Sequence, residues 1–274
     1  MNLRAILDES KGDKMGFYDL SKAERQELVK KIQKEILNDL IEDEKNNIYK
    51  YSADSDTYIR KNAYLSLGRI YQEHEDQKER ILTLVDDMLE NSNEKIRQTS
   101  VYALGEIGKK DADHILNTFI KAMEDGSPLV RNAVIGSLKQ MGQKNPGPTL
   151  KFASSNLHHS NPEVRREMVH GIELRGRTHP EDVLPLLEEL QDEENKRVRD
   201  IILHVLGQIS YKDGCLETVV AALKNWENDE LVEEALREIV EVHERYKFSS
   251  KSQEEAESYI KANFDYYTGR KPLD

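Results

Sequence analysis

The stretch Asn93-Glu94-Lys95-Ile96-Arg97-Gln98-Thr99-Ser100-Val101-Tyr102-Ala103-Leu104-Gly105-Glu106-Ile107-Gly108 decides the fold. Asn93 is an N-cap residue, whose side-chain oxygen accepts a backbone N–H of the turn that follows. Ile96, Ser100 and Leu104 recur at every fourth position and so share one helical face. Gly108, at the end of the run, predicts a left-handed C-cap. A single amphipathic helix cannot bury its own stripe, so the run demands a partner.

The partner is another copy of the same pattern. Arg60, Arg97, Arg131, Arg165 and Arg199 each follow an Ile or Val, at spacings of 37, 34, 34 and 34 residues. A period in this range marks one supersecondary unit stacked on itself. Four places before each arginine position stand Asp56, Asn93, Ser127, Asn161, Asn195 and Asp229, all N-cap residues, with Pro128 and Pro162 next at N1. One place before come Ile59, Ile96, Val130, Val164, Val198 and Val232; seven after come Leu67, Leu104, Leu138, Ile172, Leu206 and Val240. These columns define one helix per repeat, the B helix, and Gly142 and Gly176 repeat the C-cap signal of Gly108.

Ahead of each B helix lies a second amphipathic run, the A helix: Ile81 to Leu89, Asp111 to Asp125, Pro146 to His159, Val183 to Leu190 and Asp213 to Glu227. In the first repeat the A helix is expected to merge with a leading segment from Ser21 to Asp43, opened by the capping box Ser21-Lys22-Ala23-Glu24. The fold expected is an all-α, right-handed α-solenoid of six helical hairpins between about Asp39 and Tyr246. Residues 1–20 read as a loosely ordered N-terminal arm and 21–250 as the solenoid with its leading helix. Residues 251–274 read as a capping helix and tail, with Tyr259, Phe264, Tyr266 and Tyr267 packing on the last repeat.

Composition narrows the function. Of 274 residues, 34% are charged and 37% hydrophobic, a balance that suits stacked amphipathic helices with two solvent-facing sides. The net charge of −12 repels phosphate backbones and argues against nucleic acid as partner. Cys215 is the single cysteine, which excludes intrachain disulfides and cysteine-based zinc sites and fits a cytoplasmic setting. No segment reaches the roughly 20 apolar residues needed to span a membrane. Phosphate loops, nucleophile elbows and His-Glu-x-x-His runs are missing from the sequence, so the reading is not an enzyme and needs no cofactor.

These residues resemble the HEAT-repeat family, close to the subtype found in phycobilin-lyase-like proteins. The runs that carry the resemblance are Asn93 to Arg97 with Ala103 to Gly108, and Ser127-Pro128-Leu129-Val130-Arg131. It implies that Arg60, Arg97, Arg131, Arg165 and Arg199 form a structural ladder, each paired with an acidic residue six places earlier in the turn. Asp54, Asp125 and Glu193 match that position; Asn91 and His159 depart from it and put the ion pair of repeats two and four in question. Glu233 replaces the arginine in the sixth repeat, as suits a terminal unit.

In this family the B helices line the concave side, which makes their outward positions the candidate partner-binding surface. Leu65, Arg69, Tyr102, Glu106, Gln140, Arg166, His170, Arg177, His204 and Tyr211 fall there, a mixed surface suited to a protein or peptide partner. His170 and His204 share a column, and two histidines could share a metal. With Asp200 as the nearest third candidate, the pair alone gives no metal site. Cys215 and Trp226 read as packing residues. The function expected is a non-catalytic scaffold or adaptor. The alternatives are a nucleic-acid-binding or DNA-alkylation-repair-like protein on a HEAT-like stack, and a bilin-lyase-like accessory protein.

Overall fold

The computed structural model describes residues 16–113, 115–265 and 267. Most of the expected N-terminal arm, Tyr266 and the tail from Thr268 onward lie outside them. The described residues form helices and turns with no strand. A leading helix, α1 (Lys22–Glu42), precedes α2 (Asn46–Ser52), α3 (Thr57–Glu73), α4 (Lys78–Leu89), α5 (Glu94–Gly108), α6 (Leu116–Met123) and α7 (Pro128–Lys144). There follow α8 (Pro146–Asn156), α9 (Pro162–Gly176), α10 (Leu184–Glu188), α11 (Lys196–Gln208), α12 (Cys215–Leu223), α13 (Asp229–Arg245) and α14 (Gln253–Asn263). From α2 to α13 they alternate as A and B helices in six hairpins, an all-α solenoid arrangement.

The chain divides into two compact units, Met1–Ser137 and Leu138–Asp274. In the first, α3 packs along α5, with α1, α2 and α4 against them; in the second, α11 lies between α9 and α13, and α14 packs on α12 and α13. The apolar columns are the cores. Ile59, Ala63 and Leu67 are fully buried in the first unit, as are Val198, Ile202 and Leu206 in the second.

Capping follows the sequence in five repeats. Asp56, Asn93, Ser127, Asn161 and Asn195 each accept the backbone N–H two residues on. The sixth differs, because Asn228 rather than Asp229 is the N-cap and accepts from Leu231. Asn228 is held there by Gln191, whose side-chain oxygen accepts the Asn228 backbone N–H at 3.0 Å and whose carbonyl accepts its Nδ2 at 2.9 Å. The first repeat is also corrected. Its A helix, α2, is separate from α1, because Asp43 turns left-handed (φ 59°) and buried Asp39 accepts the N–H groups of Asn47 and Ile48 at the start of α2.

The glycines do not serve as left-handed caps: among described residues only Asp43 and Gly214 have positive φ. Gly176 permits a close approach instead, as does Gly105. A Cβ at Gly176 would lie 2.7 Å from Ile209 Cγ2, and one at Gly105 would lie 2.4 Å from Ser137 Oγ and 3.2 Å from Ser137 Cα. Glycine to alanine inside a helix ordinarily gains about 0.5–1 kcal/mol. Gly105→Ala should reverse that sign and lose about 1–3 kcal/mol, since overpacking forces the helices apart. Gly126→Ala, with open space around its Cβ, is the control in urea unfolding; a stabilised Gly105→Ala would contradict the packing.

Candidate functional site

The arginine row ties turns to helices, with a different partner rule from the one the resemblance implies. Four of the five guanidinium groups donate to the backbone carbonyl six residues earlier, from Arg60 to Asp54, Arg97 to Asn91, Arg131 to Asp125 and Arg165 to His159, at 2.6–2.9 Å. The side chain at that turn position supports the cap instead. Asn91 Oδ1 and His159 Nδ1 accept the N–H of the N-cap residue, as Asp54, Asp125 and Glu193 do. Carboxylate partners come from the next turn, 28 residues on. Arg97 grips Asp125 with two bonds of 2.7 and 3.0 Å, and Arg165 grips Glu193 with two of 2.7 and 2.9 Å. Repeats two and four therefore hold the ion pairs that Asn91 and His159 had put in question. Arg199 pairs with Glu234 on the next B helix at 2.9 Å.

Most of the expected partner-binding residues are accessible. In the first unit Arg69 is exposed and Leu65, Tyr102 and Glu106 are half-buried; the Tyr102 and Tyr64 rings lie 5.0 Å apart. In the second unit Gln140 is exposed and Arg166, His170, Arg177 and His204 are half-buried. Tyr211 is the exception, at 6% exposure. The chain after α13 folds over it: Tyr246 and Phe248 meet its ring edge-on, and its carbonyl accepts from Ser250 N and Ser249 Oγ. Tyr211 belongs to a C-terminal aromatic cluster rather than to an open face.

The second unit contains a polar cluster centred on Glu173. This carboxylate is 1% exposed, yet Lys139 Nζ stands 2.9 Å, His170 Nε2 3.1 Å and His204 Nε2 3.6 Å from its Oε2, while Arg177 bonds Oε1. Burial pushes the Glu173 pKa up, but the hydrogen bond from His170, the nearby His204 imidazole and the Lys139 ammonium outweigh it and hold the group far below the ordinary carboxylate range. Burial pushes both Lys139 and His170 down. The third group beside the two histidines is thus Glu173, from the same helix as His170, and not Asp200. Its signal was a broken column: eight places after each arginine stand Gly68, Gly105 and Gly207 in three repeats, but Lys139 and Glu173 in the two between.

Two other groups behave as packing. Cys215 is buried at the start of α12, and burial pushes its thiol up, away from reactivity. His243 is 4% exposed, with Nδ1 on the Ile239 carbonyl at 2.8 Å. Burial pushes its pKa below 6.5. The unfolded chain therefore takes up a proton that the folded chain resists, and stability present above that value is lost as pH falls below it. Urea unfolding between about pH 7.5 and about pH 5.5 should show this loss, with a shallower slope in His243→Leu; equal slopes would contradict it.

Helical hairpins in register, capped at each turn and tied by an arginine ladder, place this chain among the α-solenoid repeat proteins. It is a HEAT-repeat protein: residues 150–241 match the model of HEAT repeats, and residues 25–130 match that of the non-SMC mitotic condensation complex subunit 1. Among solved structures, AlkD2 from Streptococcus mutans is 15% identical, with 82% of this chain and 99% of that one covered at a TM-score of 0.53. The protein smu.31 from Streptococcus mutans UA159 is 19% identical, covering 69% of this chain and 97% of its own at a TM-score of 0.50. At such identities the likeness concerns the fold alone. No curated protein matches the chain. No helix among the described residues is long and apolar enough to cross a membrane.

Proposed function

We propose that this chain is a non-catalytic scaffold that binds a protein or peptide segment on the outward face of its B helices. The observation that carries the reading is the mixed chemistry left accessible there: Leu65, Arg69 and Tyr102 in the first unit, and Gln140, Arg166 and His204 in the second. Aromatic and arginine side chains dominate binding energetics, and an amphipathic helix supplies complementary anchors. On this face of the second unit Arg166 pairs with Glu163 and Arg177 with Glu173, which reduces the positive charge offered to a phosphate backbone.

Affinity capture from the native cell tests this with two variants of checked helicity. Tyr102→Ala with Arg166→Ala should weaken retention of the specific partner by about tenfold or more, whereas Lys151→Ala on the A-helix side should leave it unchanged. Equal retention by both variants would assign the partner to another surface. Duplex DNA binding with a steep salt slope would replace a protein partner by nucleic acid.

A further inference from the structure

We propose that His170, Glu173 and His204 form a divalent transition-metal site, with Zn²⁺ as its occupant. The three side chains bring their ligand atoms within 4.8 Å of one another. Both histidines turn the same atom, Nε2, to one carboxylate oxygen, at 3.1 and 3.6 Å. Zinc bonds of about 2.0–2.1 Å to nitrogen and oxygen in a tetrahedron set ligand atoms about 3.3 Å apart. The two observed distances bracket that edge.

The surroundings suit such a site. Arg177 holds Glu173 Oε1, leaving Oε2 as a single directed ligand, an outer contact of the kind that orients carboxylates at metals. Side-chain exposures of 25% for His170 and 37% for His204 leave one side open to solvent for a water or a partner's ligand. Two neutral imidazoles, one carboxylate and an open position make a zinc set rather than a calcium or magnesium one, since those ions take oxygen ligands.

Lys139 is the built-in competitor. Its ammonium sits 2.9 Å from the same Oε2, and the metal takes that place when the lysine, 22% exposed, swings outward. Removing the lysine should therefore tighten the site, an effect opposite to that expected of a purely structural ion-pair network.

The test is calorimetric titration of the chelator-treated full chain with ZnCl₂, with bound zinc measured after dialysis. The expected result is one zinc per chain, weakened by at least about a hundredfold in His204→Ala and His170→Ala, and tightened about tenfold in Lys139→Met. His204 is exposed enough that its alanine variant should keep the fold, which circular dichroism checks. No zinc uptake by the wild type, uptake unchanged in both histidine variants, or affinity not raised by Lys139→Met would each overturn the proposal.

Discussion

Replacing Glu173 with glutamine should destabilise the protein by about 3–5 kcal/mol, the usual result of removing one partner from a buried ion pair. The isosteric change keeps the volume and removes the charge. Lys139 and Arg177 are then left beside a neutral amide, 22% and 27% exposed and without the carboxylate that compensated their burial. The sign with pH follows from the depressed Glu173 pKa. A carboxylate lowered on folding contributes stability that is complete above its unfolded value of about 4.3 and is lost as pH falls below it. The gap between wild type and Glu173→Gln in urea unfolding should thus be full at neutral pH and narrow in acid. A loss below about 1 kcal/mol at neutral pH would mean that solvent screens the cluster.

Arg165→Ala carries the second largest expected effect, about 2–4 kcal/mol. It removes two parallel bonds to Glu193 and the bond to the His159 carbonyl, at a site where the two side chains are 17% and 8% exposed. Arg165→Lys is the sharper probe. A lysine delivers one point charge and cannot span both carboxylate oxygens and the turn carbonyl together, so it should recover less than half of the loss. Chemical unfolding of the three proteins decides the matter. A lysine variant as stable as the wild type would reduce the ladder to simple charge pairing.

Much of this architecture was legible because it rests on local rules repeated in register. The N-cap column and the Ile, Val and Leu columns each depend on a few neighbouring residues, so a single chain displays them repeat after repeat, and only the sixth N-cap falls one residue off. What escaped depends on contacts between repeats. The carboxylate for Arg97 is Asp125, 28 residues away, and the family rule of six places had pointed to the wrong turn. Gly176 looked like conformational punctuation, yet it is the neighbouring Ile209 side chain that requires it. Tyr211 had the right helical phase for an open face, but residues beyond α13 cover it. In the candidate site His170 and His204 were visible as a column. Glu173 and Lys139 were missed because charged residues at a buried position look like solvated ones until the small residues of the sister repeats are set beside them.

In the second unit the Lys139 and Glu173 pair replaces the glycine seam of the other repeats and organises the B-helix face around it. A double-mutant cycle on Lys139→Met and Glu173→Gln, read by urea unfolding at neutral pH, tests this most directly. A coupling energy of about 2 kcal/mol is predicted, within the range of residues that share a buried network. Additivity within about 0.5 kcal/mol would show that the two charges do not feel each other and would contradict that organising role.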